Sequence, residues 1–238
     1  MSARPLSTAL KCFDLLDTLA DLPGPIRLSQ LAQKTGETRA TSYQRLLTLT
    51  TAGWVDRLPD GTYRLSMRAC RIANAALEQA GFGDRALPIL EDLTVTTGET
   101  SSLVVLENDM VVIAQRVESR GVLRADLRLG AEMSFSESAS GQIWSAFGPG
   151  DLRKRLAKKG IKTASAKILK AVKSNQISVA GGGETLQGIA VVAVPVFGPT
   201  GDCLASLSLV GPDTRFEVEK LIPPLRAAAS KLSNLQAR

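Results

Sequence analysis

Histidine is absent from all 238 residues, so neither a Ser-His nor a Cys-His pair can be assembled. Neither a GxSxG elbow nor a P-loop is present. Cysteine is scarce as well. Cys12, Cys70 and Cys203 are odd in number, far apart and set among apolar residues, which leaves no disulfide framework and no zinc-ligand spacing. No apolar run reaches the length that spans a bilayer, and the N-terminal MSARPLSTALKCF breaks into an amphipathic pattern unlike a signal peptide. A reducing cytoplasm is the expected compartment, with no membrane partner, no metal and no cofactor. An enzyme is disfavoured, although Cys203 keeps two alternatives open: a cysteine-dependent enzyme or a thiol-based redox sensor.

What the chain does have is positive charge, gathered in two places. The formal net charge is +6. Residues 24–71 hold eight Lys or Arg against Glu37, Asp56 and Asp60, the footprint of a phosphate-binding surface. Residues 151–173 hold nine Lys or Arg against Asp151 alone. That run reads as a solvated, lysine-rich helical surface, with a second DNA-contacting patch as the alternative.

Residues 28–65 carry the clearest pattern, two short helices and a hairpin. Ser29 is the expected N-cap of the first helix, and Gly36 supplies the left-handed residue that stops it. In the second helix, the helical angle per residue puts Tyr43, Leu46, Leu47 and Leu49 on one arc and Thr41, Gln44, Arg45 and Thr48 opposite. The opposite arc has no carboxylate and offers hydroxyl, amide and guanidinium donors, which suit purine edges and phosphate oxygens. After Gly53, Trp54 and Val55 open a strand that turns at Asp60 and Gly61, between Arg57 and Arg64. Helix, turn, helix and hairpin make a winged helix-turn-helix, a shape that fits the DNA major groove. The residues expected at double-stranded DNA are Arg27, Arg39, Thr41, Ser42, Tyr43, Gln44, Arg45, Thr48, Arg57 and Arg64. A protein-docking module without DNA affinity is the competing use of the same shape.

Flanking segments extend the plan. Ser7 caps a helix with Ala9, Leu10, Phe13, Leu16 and Leu19 on its core side, and LPGPI breaks it. Beyond the wing, Leu65, Ala69, Ile72, Ala73, Ala76 and Leu77 form an apolar stripe on a connector helix suited to a dimer contact. Asp84 caps the next helix, with Leu87, Leu90 and Leu93 inward. SSLVVLE and MVVIAQRV form a hairpin about Asn108 and Asp109, LRADLRL alternates at period two, and GIAVVAVPVF pairs with CLASLSLV across GPTGD. A last helix carries Pro223 and Pro224, expected to bend it. Fold class is therefore α+β, an antiparallel sheet with helices on one face.

The pieces LSQLAQKTG, RLLTLTTAGWVDR and DGTYRLS, then GET (98–100), RVES (116–119), SASG (138–141), AVPVF (193–197) and LSLVGP (207–212), resemble the IclR family of bacterial transcriptional regulators over nearly the whole chain. The resemblance implies three parts: a winged helix-turn-helix DNA-binding domain (1–65), a linker helix (66–81) and a GAF-like effector-binding domain (82–238). It implies a ligand-responsive regulator that binds a pseudo-palindromic operator as a homodimer or a dimer of dimers. Many members carry a histidine where this chain has Ser136, so no ligand or metal role for that side chain transfers.

The effector site is expected at the start of an apolar helix, where Ser138, Ala139, Ser140 and Gly141 leave amide donors accessible to a carboxylate at the positive dipole end. The family pattern adds Val191, Ser206 and Ser208 on central strands, and Gly130 and Ala131 in the entering loop. A small organic acid is the implied effector.

Overall fold

Leucines spaced for helices and glycines placed to stop them build the first part of the chain. The computed structural model describes residues 4–79, 82–120, 129–181 and 188–235. The chain divides into two units, residues 1–76 and 77–238.

In the first unit, α1 (Ser7–Ala20), α2 (Leu28–Thr35) and α3 (Arg39–Thr51) precede a hairpin of β1 (Val55–Arg57) and β2 (Tyr63–Leu65). Their core is Leu15, Leu19, Ile26, Leu31, Leu46, Leu49, Val55 and Tyr63. Two expected caps are corrected. Leu6 occupies the cap position before α1, so Ser7 is already helical. Arg27 occupies that position before α2, its N–H donating to the Gln30 side chain at 3.2 Å, so Ser29 lies inside the helix. The inward face of α1 is also corrected: Leu15 and Leu19 are buried, whereas Leu10 and Phe13 are exposed. Gly36 does end α2, at φ 69°.

The wing turns differently from the expected two-residue corner. Leu58 N–H donates to the Thr62 carbonyl at 2.8 Å and Gly61 N–H to the Leu58 carbonyl at 2.9 Å, which makes Pro59 and Asp60 the corners and sets Gly61 after them at φ 79°. Asp60 accepts from the Thr62 hydroxyl at 2.6 Å and its N–H at 3.0 Å, and these bonds hold its carboxyl below the usual range. On the inner side, Ile26 and Tyr63 exchange backbone bonds of 2.8 and 2.9 Å, so LPGPI supplies a third partner to the hairpin. Helix α4 (Arg68–Gln79) follows, and none of its residues is buried.

The second unit opens with α5 (Gly83–Thr97). Phe82 precedes it in the cap position instead of Asp84, and Ala86, Leu90 and Leu93 are its buried residues, while Leu87 is exposed. Six antiparallel strands follow: β3 (Thr100–Glu107), β4 (Met110–Val117), β5 (Glu132–Met133), β6 (Ser178–Gly181), β7 (Ile189–Phe197) and β8 (Cys203–Pro212). Their order is β5-β4-β3-β8-β7-β6. The β3–β4 turn has Asn108 and Asp109 at φ 48° and 64°, as the tight hairpin requires. LRADLRL falls outside the described residues except for Leu129.

Helices cover both faces of this sheet, where one was expected. Leu103, Val192, Val194, Leu207 and Leu209 pack with α5 and with α9 (Val218–Leu235), which runs through Pro223 and Pro224. The alternate positions Val104, Val191, Ala193 and Val210 pack against α6 (Ala139–Phe147), α7 (Leu152–Lys158) and α8 (Ala166–Asn175). The buried run through VVAVPV (191–196) follows from this, because a strand covered on both faces has no solvent side to alternate with.

Candidate DNA-reading and effector sites

The outward arc of α3 differs from the expected one by about a quarter turn. Ser42 is fully buried and is withdrawn from the DNA-contacting set; its small side chain faces the core beside Leu46 and Leu49. Tyr43 and Leu47 are instead 42% and 47% exposed, so neither belongs to the inner face. Ala40, Gln44 and Thr51 share that outward arc with them. Arg45 is corrected as well. It is ion-paired to Glu37 and only 12% exposed, so the guanidinium expected to read a base is held within the unit. Thr41 shares a 2.8 Å hydroxyl bond with Thr38, and the Thr48 hydroxyl donates to the Gln44 carbonyl at 2.9 Å. Both remain exposed beside an open groove of about 870 Å³ that the start of α1 also lines.

The remaining cations of the expected set lie on the surface of this unit. Arg39 opens α3 and is exposed, and Arg27 lies near enough to Asp60 to act on its carboxyl. On the wing, Arg57 stacks 5.9 Å from the Tyr63 ring centre, and Arg64 sits 3.5 Å from Asp56, its cross-strand neighbour. Both arginines are exposed, and a pair this open is worth little, which leaves Arg64 able to exchange its partner for a phosphate. Arg68 is structural, because it donates to the Ala52 carbonyl at 2.6 Å and lies over Trp54, closing the C-terminal end of α3.

In the second unit, Ser138, Ala139, Ser140 and Gly141 do stand at the start of α6, and all are buried. The Ser138 hydroxyl accepts from Gly141 N–H at 2.9 Å and donates to the Ser134 carbonyl at 2.7 Å, so it is satisfied as a cap. Gly141 is a packing residue: a Cβ there would overlap the Ser134 carbonyl oxygen and come within 2.7 Å of Phe135 Cα. Across the interface with the sheet, Ser206 Oγ donates to Ser140 Oγ at 2.9 Å, and Ser208 Oγ reaches the Ser102 carbonyl at 3.4 Å. Val191 packs with Ala139 and Ile143 in the same layer. Ala131 packs beside Trp144 and Val104, while Gly130 is exposed at the sheet edge and donates to the Ile113 carbonyl at 2.8 Å.

Strand register exposes a residue that sequence reasoning missed. Arg116, Ser102, Ser208, Ala193 and Ser178 are successive cross-strand partners from β4 to β6. They form one row on the face that α6 covers. Arg116 has a side chain only 4% exposed, and its Nη1 donates to Ser102 Oγ at 3.4 Å. At the other end Ser178 donates to Gln142 of α6 at 2.6 Å. A buried guanidinium and four neutral donors thus line one layer between sheet and helix. The row could have been found from RVES only by anticipating the bulge in β4, which places Ala114 outside the pairing and moves Arg116 onto the face of Val111 and Ile113.

Cys203 lacks the character of a nucleophile. Burial pushes its thiol up to about 12, and Sγ lies 3.3 Å from the Ala205 carbonyl. Among the described residues no group of three or more His, Cys, Asp or Glu could hold a metal ion, and no helix is long and apolar enough to cross a membrane.

Comparison with known proteins agrees with this architecture. Residues 8–59 match the IclR helix-turn-helix domain and residues 74–234 match the bacterial transcriptional regulator IclR C-terminal family. The probable transcriptional regulator SauR of Cupriavidus necator is 29% identical, covering 98% of each chain. The transcriptional regulator KdgR of Escherichia coli is 27% identical over 96% of this chain and 92% of its own. The crystal structure of Thermotoga maritima IclR superposes with TM-score 0.74 at 24% identity, covering 97% of this chain and 99% of that one. That of an IclR homolog from Microbacterium hydrocarbonoxydans, complexed with 4-hydroxybenzoate, gives 0.82 at 22% identity, covering 97% and 99%. The chain belongs to the IclR family of bacterial transcriptional regulators.

Proposed function

We propose that this IclR-family regulator binds a pseudo-palindromic operator as a dimer or dimer of dimers and that a small organic carboxylate biases its DNA affinity. Residues 1–65 read DNA, 66–81 link, and 82–238 bind effector. The observation that carries the DNA reading is the exposed arc of α3, with Gln44 among apolar Ala40, Tyr43 and Leu47 and with Arg39, Arg57 and Arg64 around it. Gln44 suits an adenine edge, Leu47 and Ala40 suit thymine methyl groups, and the arginines suit phosphate. Dimerisation is supported by α4, which buries nothing within the chain although Ala69, Ile72, Ala73 and Ala76 recur at helical spacing.

The effector sits in the layer between α6 and the row Arg116, Ser102 and Ser208, with Ser140 and Ser206 beside it. A guanidinium is the side chain best matched to a carboxylate, and Arg116, whose Nε lies 4.0 Å from the exposed Glu118 carboxylate, is held at low exposure where its charge is weakly screened, so an effector carboxylate would share it with Glu118 or replace that partner. The 4-hydroxybenzoate complex of a similarly folded homolog supports a ligand of this class. Thermal shift of the full chain against aromatic and aliphatic carboxylates, 4-hydroxybenzoate included, tests the assignment. Stabilisation by one acid, lost in Arg116→Gln while the unliganded protein still folds, is expected. A shift of equal size in Arg116→Gln contradicts it.

A further inference from the structure

The larger cationic surface of this chain is outside the helix-turn-helix unit. Residues 1–76 hold ten Lys or Arg against six Asp or Glu, and two of those arginines are already paired, Arg45 with Glu37 and Arg64 with Asp56. Residues 151–173 hold nine against one, although the rest of residues 77–238 is acidic, with ten against sixteen. Charge is therefore segregated within the second unit and not spread over it.

Geometry keeps these cations outward and available. Leu152 and Leu156 of α7 pack in the layer with Trp144 of α6, and Leu169 and Val172 of α8 pack in the layer with its Ile143 and Ala146. Both helices thus lie on the α6 side of the sheet with their polar faces turned to solvent. Lys167, Lys170 and Lys173 recur every three residues along α8, and Lys154, Lys158 and Lys162 line α7 and the connection after it; all six are exposed. Asp109 and Asp151 engage only Arg155 and Lys159, and none of the six lysines makes an ion pair among the described residues.

We propose that this lysine surface on α7 and α8 is a second, sequence-independent contact for the backbone of duplex DNA. The inference rests on the reading of α3 and the wing as the DNA-binding element. Duplex DNA is favoured as the polyanion because the chain carries a helix-turn-helix domain of DNA-binding type and because nine cations against one acid complement a phosphate backbone. Lysine suits such a contact, since a flexible point charge neutralises phosphate without demanding a base or a fixed geometry. Each phosphate neutralised releases counterions and adds about 0.9 to the salt slope.

Fluorescence anisotropy of the full chain on a long random-sequence duplex, titrated with salt, tests this. The variant K154Q/K158Q/K162Q/K167Q/K170Q/K173Q changes only exposed side chains, and its melting temperature reports retained folding. Its slope of log K against log salt should be shallower than wild type by about 2 to 5, the loss of two to six contacts. K220Q/K231Q, on the α9 side of the sheet, is the control for net charge and should leave the slope within about 0.5 of wild type. A slope unchanged in the six-lysine variant overturns the inference, leaving the surface to another polyanion such as an acidic protein segment. An equal loss per residue in the control overturns it as well. Failure of the wild type to bind duplex at all would overturn the reading of α3 and the wing too, whereas a slope that stays steep only when these lysines are intact separates the two claims.

Discussion

The hydroxyl bond between Ser206 and Ser140 joins β8 to α6 between the sheet and its helical cover, and removing either end should cost unequally. Both residues are buried, and Ser206 is the donor over 2.9 Å. Ser140→Ala leaves the Ser206 hydroxyl fully buried with no acceptor on α6, so the desolvation cost is retained without return, about 1 to 3 kcal/mol. Ser206→Ala is milder, about 0.5 to 1.5 kcal/mol, because it leaves the Ser140 oxygen short of one donor but orphans no buried hydroxyl hydrogen. The double substitution removes the need along with the partner and should cost less than the two singles added, by roughly 1 to 2 kcal/mol. Urea unfolding reads this directly. Trp54 and Trp144 are the two tryptophans, one in each unit, and Trp144 is buried on α6 with its indole N–H donating to the Val104 carbonyl at 3.3 Å. Fluorescence of Trp144 in a Trp54→Phe background therefore reports the second unit alone. Strict additivity of the two single costs would refute the claim that this bond couples helix to sheet.

Other outcomes follow from single residues. Gly141→Ala should lower the melting temperature of the second unit by about 2 to 12 °C, the effect of about 1 to 3 kcal/mol of overpacking in a domain of this size, and an unchanged midpoint would contradict the close approach to Ser134. Burial holds the Glu99 carboxyl above its ordinary range against the opposing Arg215, so its contribution is fully present in acid and is lost as pH rises through the raised value. Glu99→Gln should consequently gain on wild type in melting temperature as pH rises from about 4 to 8, and a gap that narrows would reverse the sign. Gln44→Ala should cost about 1 to 3 kcal/mol on a preferred duplex and little on random sequence, measured by competition, whereas Arg45→Ala should act chiefly through stability because Glu37 already holds it.

Much of the fold was legible in the chain because local chemistry and tertiary structure agree there. Gly36 and Gly53 stop helices, Asn108 and Asp109 make their hairpin, and Ser138 caps α6. At the candidate sites, tertiary contact overrode local rules. Residue polarity alone assigned Ser42 outward and Leu47 inward, yet the core side of α3 takes the small serine and leaves the leucine exposed where DNA would lie. Arg45 lost its expected freedom to Glu37, eight residues away and off the helix. Strict period-two alternation would place Gln115 on the face of Val111 and Ile113, and the bulge at Ala114 places Arg116 there instead.

Selection from a random duplex pool by the purified full chain tests the central claim most directly. Sequencing of the retained fraction should show an inverted repeat whose half-site centres are about 34 Å, or a multiple of it, apart. Retention of duplex with no enriched sequence, or enrichment unaffected by Gln44→Ala and Leu47→Ala together, would contradict the assignment of α3 as the element that reads DNA.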